Sequence, residues 1–144
     1  MRIYLDNCCF NRPFDGQVQV RVRLETEAKL RIQERVLAGE IELAWSYILD
    51  YENAANPFEE RRSAVGLWRA QAAVDIVETP ALLKRAKSLI GLGIHSKDAL
   101  HVASAVEARC EYFITTDDRL LKKLSCYTEI AVVDPTAFVR STEP

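Results

Sequence analysis

Histidine and cysteine, the usual ligands of zinc, are scarce in this sequence of 144 residues, which contains two histidines and four cysteines. No two cysteines have the Cys-x-x-Cys spacing, and His95 and His101 cannot complete a structural zinc site by themselves. Cys8 and Cys9 are adjacent, and one of them is expected to pack as a small hydrophobic side chain. The sequence therefore argues against a zinc-binding module and indicates no chemical role for either thiol.

Long apolar segments are also missing, because no hydrophobic run approaches the roughly 18 residues that cross a bilayer. The N-terminus lacks the pattern of a secretory leader, since Asp6 interrupts the first apolar residues and Arg12 follows soon after. The composition, with 49% hydrophobic and 28% charged residues, is typical of a globular protein. We therefore expect a single domain over residues 1–144, located in the cytoplasm and without a membrane partner.

An excess of basic residues is absent as well, since the formal net charge is −2. Proteins that bind the phosphates of nucleic acids usually carry a basic excess, so the overall charge weighs slightly against that class. Lysine and arginine do cluster in the segments RVRLETEAKLRIQER, EERRSAVGLWR and LLKRAKSLIGLGIHSK. Most such clusters are solvated helix faces, and a polynucleotide substrate therefore stays open.

Segments typical of strands and helices alternate along the chain. The apolar runs at 2–5, 41–45, 74–77, 112–115 and 130–133 predict short strands. The stretches at 17–38, 47–55, 58–72, 80–92, 97–109, 118–124 and 136–140 predict helices, with Ser46 and Ser96 as N-caps. This alternation predicts an α/β fold with a mainly parallel central sheet flanked by helices, in which ligands bind beyond the carboxyl ends of the strands.

Four carboxylates follow or flank these predicted strands. Asp6 comes directly after the first strand and Asp117 follows the strand YFITT, while Glu52 and Asp98 lie on predicted helices. Each has an ordinary explanation when it is taken alone. Asp6 fits a turn, and Glu52 fits a solvated helix face. Asp98 and Asp117 fit the first turn or the cap of a helix.

As a group, these carboxylates predict a metal site. Clustered carboxylates repel one another and raise one another's pKa unless a cation lies among them. Oxygen ligands without histidine or thiolate suit Mg²⁺ or Mn²⁺, and two such ions about 4 Å apart promote phosphodiester cleavage. The sequence contains no glycine-rich phosphate loop and no Ser-His-Asp arrangement that would provide a competing site.

Four segments of the sequence resemble the PIN-domain family, and within it the branch of VapC-like toxin ribonucleases. They are the N-terminal strand ending in Asp6, SYILDYE, KDALHVASA and FITTDDRLL. The resemblance extends over almost the whole chain, and the DALHVASA helix followed by a strand and a T-x-D segment is its most specific part. It implies a three-layer α/β sandwich around a mainly parallel sheet, in agreement with the alternation of elements.

The resemblance also implies the chemistry. By position, the metal-binding acids of the family correspond to Asp6, Glu52, Asp98 and Asp117, which would hold Mg²⁺ or Mn²⁺ and cleave RNA. Thr115 corresponds to a hydroxyl residue near the site. Members of the family are commonly homodimers that a partner antitoxin inhibits, so a homodimer and an antitoxin are the expected partners. The helices at 17–38 and 58–72 are candidates for the dimer contact.

The sequence departs from the family pattern at two places. Asn7 and Cys8 replace the small hydroxyl residues that often follow the first aspartate, although the Asn7 amide can still hydrogen-bond a carboxylate or a bound water. The middle segment offers both Asp50 and Glu52, which cannot share one helix face, and the spacing from Ser46 favours Glu52. Asn11 and Arg12 are expected to anchor the loop after the first strand. His101 is expected to be a packed, hydrogen-bonded helix residue.

The residues and the resemblance together predict a divalent-metal-dependent endoribonuclease that serves as the toxin of a toxin–antitoxin pair. The principal alternative is a catalytically inactive protein of the PIN fold that binds RNA or another protein. The presence of all four acids weighs against that alternative. A second alternative, cleavage of DNA or of flap structures, usually requires additional helical elements for which 144 residues leave little room.

Overall fold

The computed structural model describes residues 1–143 and centres on a five-stranded sheet. The strands are β1 (Arg2–Leu5), β2 (Glu42–Ser46), β3 (Ala72–Ile76), β4 (Tyr112–Ile114) and β5 (Ala131–Val133). They lie in the order β3-β2-β1-β4-β5, and every neighbouring pair is parallel. The predicted α/β sandwich around a parallel sheet is therefore confirmed.

Eight α-helices connect and follow these strands within residues 1–143. They are α1 (Asn7–Asn11), α2 (Val20–Leu37), α3 (Tyr47–Ala54), α4 (Glu59–Gly66), α5 (Pro80–Gly91), α6 (Ser96–Glu107), α7 (Asp118–Lys123) and α8 (Pro135–Thr142). Short 3-10 helices occupy Arg12–Phe14 and Leu67–Gln71. α2 packs along α8, and α5 packs along α6. None of the helices in the described part of the chain is both long and apolar enough to cross a membrane.

The order of the strands reverses between β1 and β4. From β1 the chain moves outward through β2 to β3, and it then crosses back to β4 and continues to β5. Because parallel crossovers are right-handed, this reversal puts the α5–α6 pair on the face opposite α2. A crevice opens where the connections that follow the neighbouring strands β1 and β4 lead to opposite faces of the sheet, and such a crevice is the usual ligand site of an open parallel sheet.

The strands that border this crevice are rigidly packed. Tyr4 of β1 and Phe113 of β4 are fully buried and stack with ring centroids 5.3 Å apart. On the neighbouring strand, the buried ring of Trp45 meets Phe10 edge-on at 5.4 Å. Burial of such large side chains dominates the energetics of a core and holds the strand ends in place. Residues that directly follow β1 and β4 are thereby held in fixed positions.

The segment after β1 forms a helix, and the prediction of a loop there was wrong. α1 begins directly after Asp6, whose carboxylate accepts a hydrogen bond from the Asn7 backbone at 2.8 Å. The helical turn places Cys9 and Phe10 in the core, and Cys9 packs as a small hydrophobic side chain as expected. Cys8 is half-buried and borders the crevice.

The helix predicted at 58–72 is shorter and divided, so this prediction was also wrong. α4 ends at Gly66, a residue of low helix propensity, and the chain tightens into the 3-10 turn Leu67–Gln71. Ala72 belongs to β3, where it pairs with Leu43 of the neighbouring strand. Sheet pairing across the molecule thus overrides the local helix preference of an alanine.

Two helix starts differ from their predicted positions and one agrees. α2 begins at Val20, since the Gln17 side chain donates hydrogen bonds to the carbonyls of Arg12 and Asp15 and holds the preceding residues outside the helix. Ser96 is the first helical residue of α6 and not its cap, because the carbonyl of His95 already accepts from Ala99 at 2.8 Å. The predicted Ser46 cap is confirmed.

Candidate active site

The four predicted acids line one cleft of about 500 Å³ beyond the carboxyl ends of β1 and β4. Asp6 caps α1, and Asp117 caps α7 directly after β4. Glu52 lies in the last turn of α3, and Asp98 lies in the first turn of α6. Four separate segments thus bring a carboxylate to the switch point of the sheet, together with Asn7.

Thr115 connects two of these acids. Its buried hydroxyl donates to Asp6 Oδ2 at 2.8 Å and accepts from the Asp117 backbone N–H at 3.1 Å. Asp6 is itself almost fully buried, and its second carboxylate oxygen accepts from the Asn7 backbone. Cys8 Sγ lies 3.5 Å from both Asp6 and Thr115. Asp6 is therefore held by short hydrogen bonds from residues on both sides of the β1–β4 boundary.

Glu52 is held by a buried chain of hydrogen-bonded side chains. His101 Nε2 donates to Glu52 Oε1 at 2.6 Å, and His101 Nδ1 lies 2.6 Å from the Tyr4 hydroxyl. The same hydroxyl lies 2.6 Å from Oγ of Ser46. The expectation that His101 is packed and hydrogen-bonded is confirmed, and the structure adds its contact with Glu52, which sequence spacing did not reveal because Glu52 is 49 residues away.

The pKa values of this pair shift in opposite directions. Burial raises the pKa of Glu52, but the hydrogen bond and charge of His101, with the charge of Lys97, outweigh it and leave this pKa below its ordinary value. Burial lowers the pKa of His101, but the Glu52 hydrogen bond and the surrounding carboxylates outweigh it and leave this pKa raised. Both shifts favour an imidazolium–carboxylate pair.

The pKa of Asp98 is raised, whereas that of Glu52 is lowered. Burial raises the pKa of Asp98, and the negative charges of Asp6, Asp117 and Glu52 raise it further, while His101 has an opposing effect that does not reverse the shift. A carboxyl group whose neighbours are mostly carboxylates favours a proton or a cation beside it. Excess negative charge is thus concentrated where α6 begins.

Asp50 is directed elsewhere. Its carboxylate accepts from the Trp45 indole N–H at 2.9 Å and lies 3.6 Å from the Arg69 guanidinium. Glu52 lines the cleft, whereas Asp50 does not. As expected from helix geometry, only one of the two acids faces the other carboxylates.

The carboxylates fit a hard cation by their chemistry but are not arranged around one. Among residues 1–143, no three Asp, Glu, His or Cys side chains converge as a ready metal-binding group. Asp6 is turned toward Thr115, and Glu52 is turned toward His101. Asp117 Oδ1 accepts from the backbone amides of α7. An all-oxygen donor set suits Mg²⁺ or Mn²⁺, and side-chain rotation of these acids would exchange protein donors for the ion.

The sequence predicts Arg and Lys around the site but does not identify which of these side chains lie there. Asp98 and Asp117 also border a second cleft of about 410 Å³, whose lining includes His95, Arg119 and Lys123. These three residues come from the α5–α6 connection and from α7, so only the fold brings them together. The available signal was the DRLLKK segment, where basic residues at a four-residue spacing directly follow Asp117.

A parallel sheet with this strand order and a group of carboxylates at its switch point defines an α/β protein with an acidic ligand site. Residues 3–125 match the family model of the PIN domain. The match extends over most of the chain, and the protein belongs to the PIN-domain family. The predicted resemblance is therefore confirmed.

Solved structures with a similar fold support this assignment. A toxin–antitoxin complex from Klebsiella pneumoniae contains a chain with 16% identity and a TM-score of 0.60, covering 92% of this chain and 97% of that one. A chain of VapBC2 from Rickettsia felis, bound to a DNA fragment from its promoter, has 14% identity and a TM-score of 0.61, covering 92% of this chain and 97% of that one. A chain of VapBC-1 from nontypeable Haemophilus influenzae has 14% identity and a TM-score of 0.53, covering 94% of this chain and 99% of that one. At such identities the likeness concerns the fold. No curated protein sequence matches the chain significantly.

Proposed function

We propose that this protein is a divalent-metal-dependent endoribonuclease. The observation that carries the proposal is the meeting of Asp6, Glu52, Asp98 and Asp117 at one cleft from four separate segments. Asp6 and Asp117 are helix caps, but Glu52 lies in the last turn of α3, so helix capping alone does not explain why all four acids line one cleft. Membership of the PIN-domain family supports the same chemistry.

The proposed roles follow from the environment of each acid. Asp6 and Asp98 are the main ligands of Mg²⁺ or Mn²⁺, and Asp117 completes the set. Glu52, held as a carboxylate by His101, orients the attacking water or is itself a ligand of the ion. Thr115 keeps Asp6 in position, and Asn7 supports the site beside Glu52. When bound, the ion would polarise the phosphodiester and activate water, and the expected products carry 5′-phosphate and 3′-hydroxyl ends.

The charges around the site support a polyanionic substrate despite the net charge of −2. Arg12 and Arg61 line the acidic cleft and share an ion pair with Asp15 there. His95, Arg119 and Lys123 line the cleft on the other side of Asp98 and Asp117. Lysine and arginine side chains neutralise the phosphates that flank a bound segment of nucleic acid. A strand can therefore cross the carboxylates with cationic groups on both sides.

The partners are part of the proposal. The similar chains come from toxin–antitoxin complexes, and we propose that this protein is likewise a toxin that a neighbouring antitoxin inhibits in the cytoplasm. A homodimer stays a prediction. Exposed apolar residues on α2, among them Val20, Leu24 and Leu37, are consistent with a protein contact on this helix.

Cleavage of a mixed RNA pool by the purified protein tests the proposal, with Mn²⁺, with Mg²⁺ and with EDTA. We expect cleavage only with a metal ion, and its loss in Asp98→Asn and Glu52→Gln. Asp50→Asn is the matched control, since Asp50 lies on the same helix as Glu52 but contacts Trp45 and Arg69. Its activity should equal that of the wild type.

The outcomes separate the candidate functions. RNA binding without cleavage by a folded, metal-loaded protein would favour the inactive binding module. Cleavage of DNA but not RNA would change the substrate class and leave the site intact. Cleavage that persists in EDTA and in Asp98→Asn would contradict the assigned chemistry.

A further inference from the structure

An arginine sandwiched between exposed aromatic rings lies at the edge of the acidic cleft. Phe58 is 56% exposed and Phe14 is 40% exposed, although phenylalanine is usually buried in a folded protein. The Arg61 guanidinium lies 4.6 Å from the centroid of Phe58 and 5.7 Å from that of Phe14. We call Phe58 and Arg61 the rim pair.

The rim pair is held in place by its own segment. Phe58 is the residue from which α4 begins, and its backbone N–H donates to the Asn56 side chain at 3.0 Å. Arg61 follows one helical turn later and donates to the Phe14 carbonyl at 2.6 Å. It also lies 3.6 Å from Asp15. The aromatic face is therefore presented by a fixed backbone, with the guanidinium plane beside it.

The rim pair and the carboxylates border the same space. Residues 55–58 connect α3, which carries Glu52, to α4, and all of them line the acidic cleft with Arg61. Asn11 and Asn56, whose side chains are hydrogen-bonded to each other at 3.0 Å, lie on the same wall. A chain bound with a phosphodiester at the acids would continue along amide groups to an aromatic face.

We propose that the rim pair is a stacking site for one unpaired nucleobase next to the cleaved phosphodiester. This inference rests on the proposed function. Every base has a flat π-face that stacks on phenylalanine and on arginine, whereas bases within a duplex are already stacked on both sides. The two asparagine amides offer donors and acceptors to the edge of the base.

Binding and cleavage of a set of short, unstructured RNAs test the inference. Each RNA is identical except for one abasic nucleotide, placed at successive positions. Dissociation constants are measured by fluorescence anisotropy in EDTA, where no metal-dependent cleavage occurs, and kcat/KM is measured in Mn²⁺. We expect Phe58→Ala to weaken binding of the intact RNA about 5- to 150-fold, the range that stacking of one base produces.

Three comparisons make the test specific. One abasic position should weaken wild-type binding as much as Phe58→Ala does, and the two losses should not add, since both remove the same stacking contact. Phe58→Trp should retain binding. Leu67→Ala is the matched control, because Leu67 is 73% exposed and lies outside the cleft lining, and it should bind as the wild type does.

The outcomes distinguish failure of this inference from failure of the proposed function. Equal RNA affinity of Phe58→Ala and the wild type would overturn the stacking site, even if the protein cleaves RNA. Equal weakening at every abasic position would overturn it as well. Binding that depends on Phe58 and on one base, without any cleavage, would support the stacking site and contradict the nuclease.

Discussion

Thr115 holds two of the four acids, Asp6 and Asp117, in place. Its hydroxyl donates to Asp6 and accepts from the Asp117 backbone, and the side chain is fully buried. Valine has nearly the same shape but neither donates nor accepts. The substitution Thr115→Val therefore removes these hydrogen bonds without opening a cavity.

We predict that Thr115→Val destabilises the protein by about 1–3 kcal/mol, because it leaves the buried Asp6 carboxylate with one donor fewer. Metal affinity or nuclease activity should fall about 10- to 100-fold, as is usual when a residue that orients a ligand is lost. Urea unfolding and cleavage assays measure the two effects. Thr115→Ser, which keeps the hydroxyl, should restore most of both, and wild-type activity in Thr115→Val would contradict the role.

Lys29 is a buried cation outside the site. The side chain is 4% exposed and lies near the Phe10 ring, and burial lowers its pKa to about 8 from the ordinary 10.5. Between pH 8 and 10.5 the unfolded chain therefore binds more protons at this residue than the folded chain does. Below pH 8 the buried Lys29 ammonium lowers the free energy of unfolding by its full amount. The free energy of unfolding then rises with pH between pH 8 and 10.5 as this destabilisation is lost.

We predict that Lys29→Met is more stable than the wild type at pH 7, by up to about 3 kcal/mol, because a buried ammonium is replaced by an apolar chain. The difference should shrink as the pH rises from 8 to 10.5. Thermal or urea unfolding at several pH values measures it. Lys87→Met, at an exposed position on α5, is the control and should change little.

At the scale of elements, the start of α3 joins the core to the site. Ser46 ends β2, caps α3 by accepting from the Leu49 N–H, and lies 2.6 Å from the Tyr4 hydroxyl in the chain that reaches Glu52. Thr79 caps α5 in the same way through the Leu82 N–H, but it takes no part in this chain. The two caps are thus a natural pair for comparison.

We predict that Ser46→Ala and Thr79→Ala each destabilise the protein by about 1–2 kcal/mol through loss of a cap, with the larger loss at the buried Ser46. Only Ser46→Ala should also reduce nuclease activity, because it disturbs the hydrogen-bonded chain that positions Glu52. Unfolding midpoints and kcat/KM are measured side by side. A comparable loss of activity in Thr79→Ala would show that the effect is general destabilisation.

The element predictions failed where a partner distant in sequence decides the structure. Residues 58–72 have a helical composition, yet Ala72 pairs with Leu43 in the sheet. The segment after β1, predicted as a loop, forms α1 because the helix packs Phe10 against Trp45 in the core. Neither contact has a local signal, since a sequence window contains only one of the two partners.

At the scale of the whole molecule, the concentration of carboxylates at one edge of the sheet should couple metal binding to stability. An ion that binds the folded chain and not the unfolded chain stabilises it by about 2.7 kcal/mol at a concentration 100 times its dissociation constant. We predict that Mn²⁺ or Mg²⁺ raises the unfolding temperature of the wild type and of Asp50→Asn, and raises that of Asp98→Asn much less. Differential scanning calorimetry measures this shift, and an equal shift in all three proteins would contradict binding at the cleft.

The sequence by itself determined the alternation of strands and helices, and hence the parallel sheet, because hydrophobic periodicity and turn residues are local properties. It also placed Asp6 and Asp117 at strand ends, where a parallel sheet gathers its ligand groups. The spacing from Ser46 also favoured Glu52 over Asp50. Only the tertiary structure decided that His101 holds Glu52 and that Phe58 and Arg61 border the same cleft. These arrangements depend on contacts between residues tens of positions apart, which form only when the strands are in register and the helices have packed.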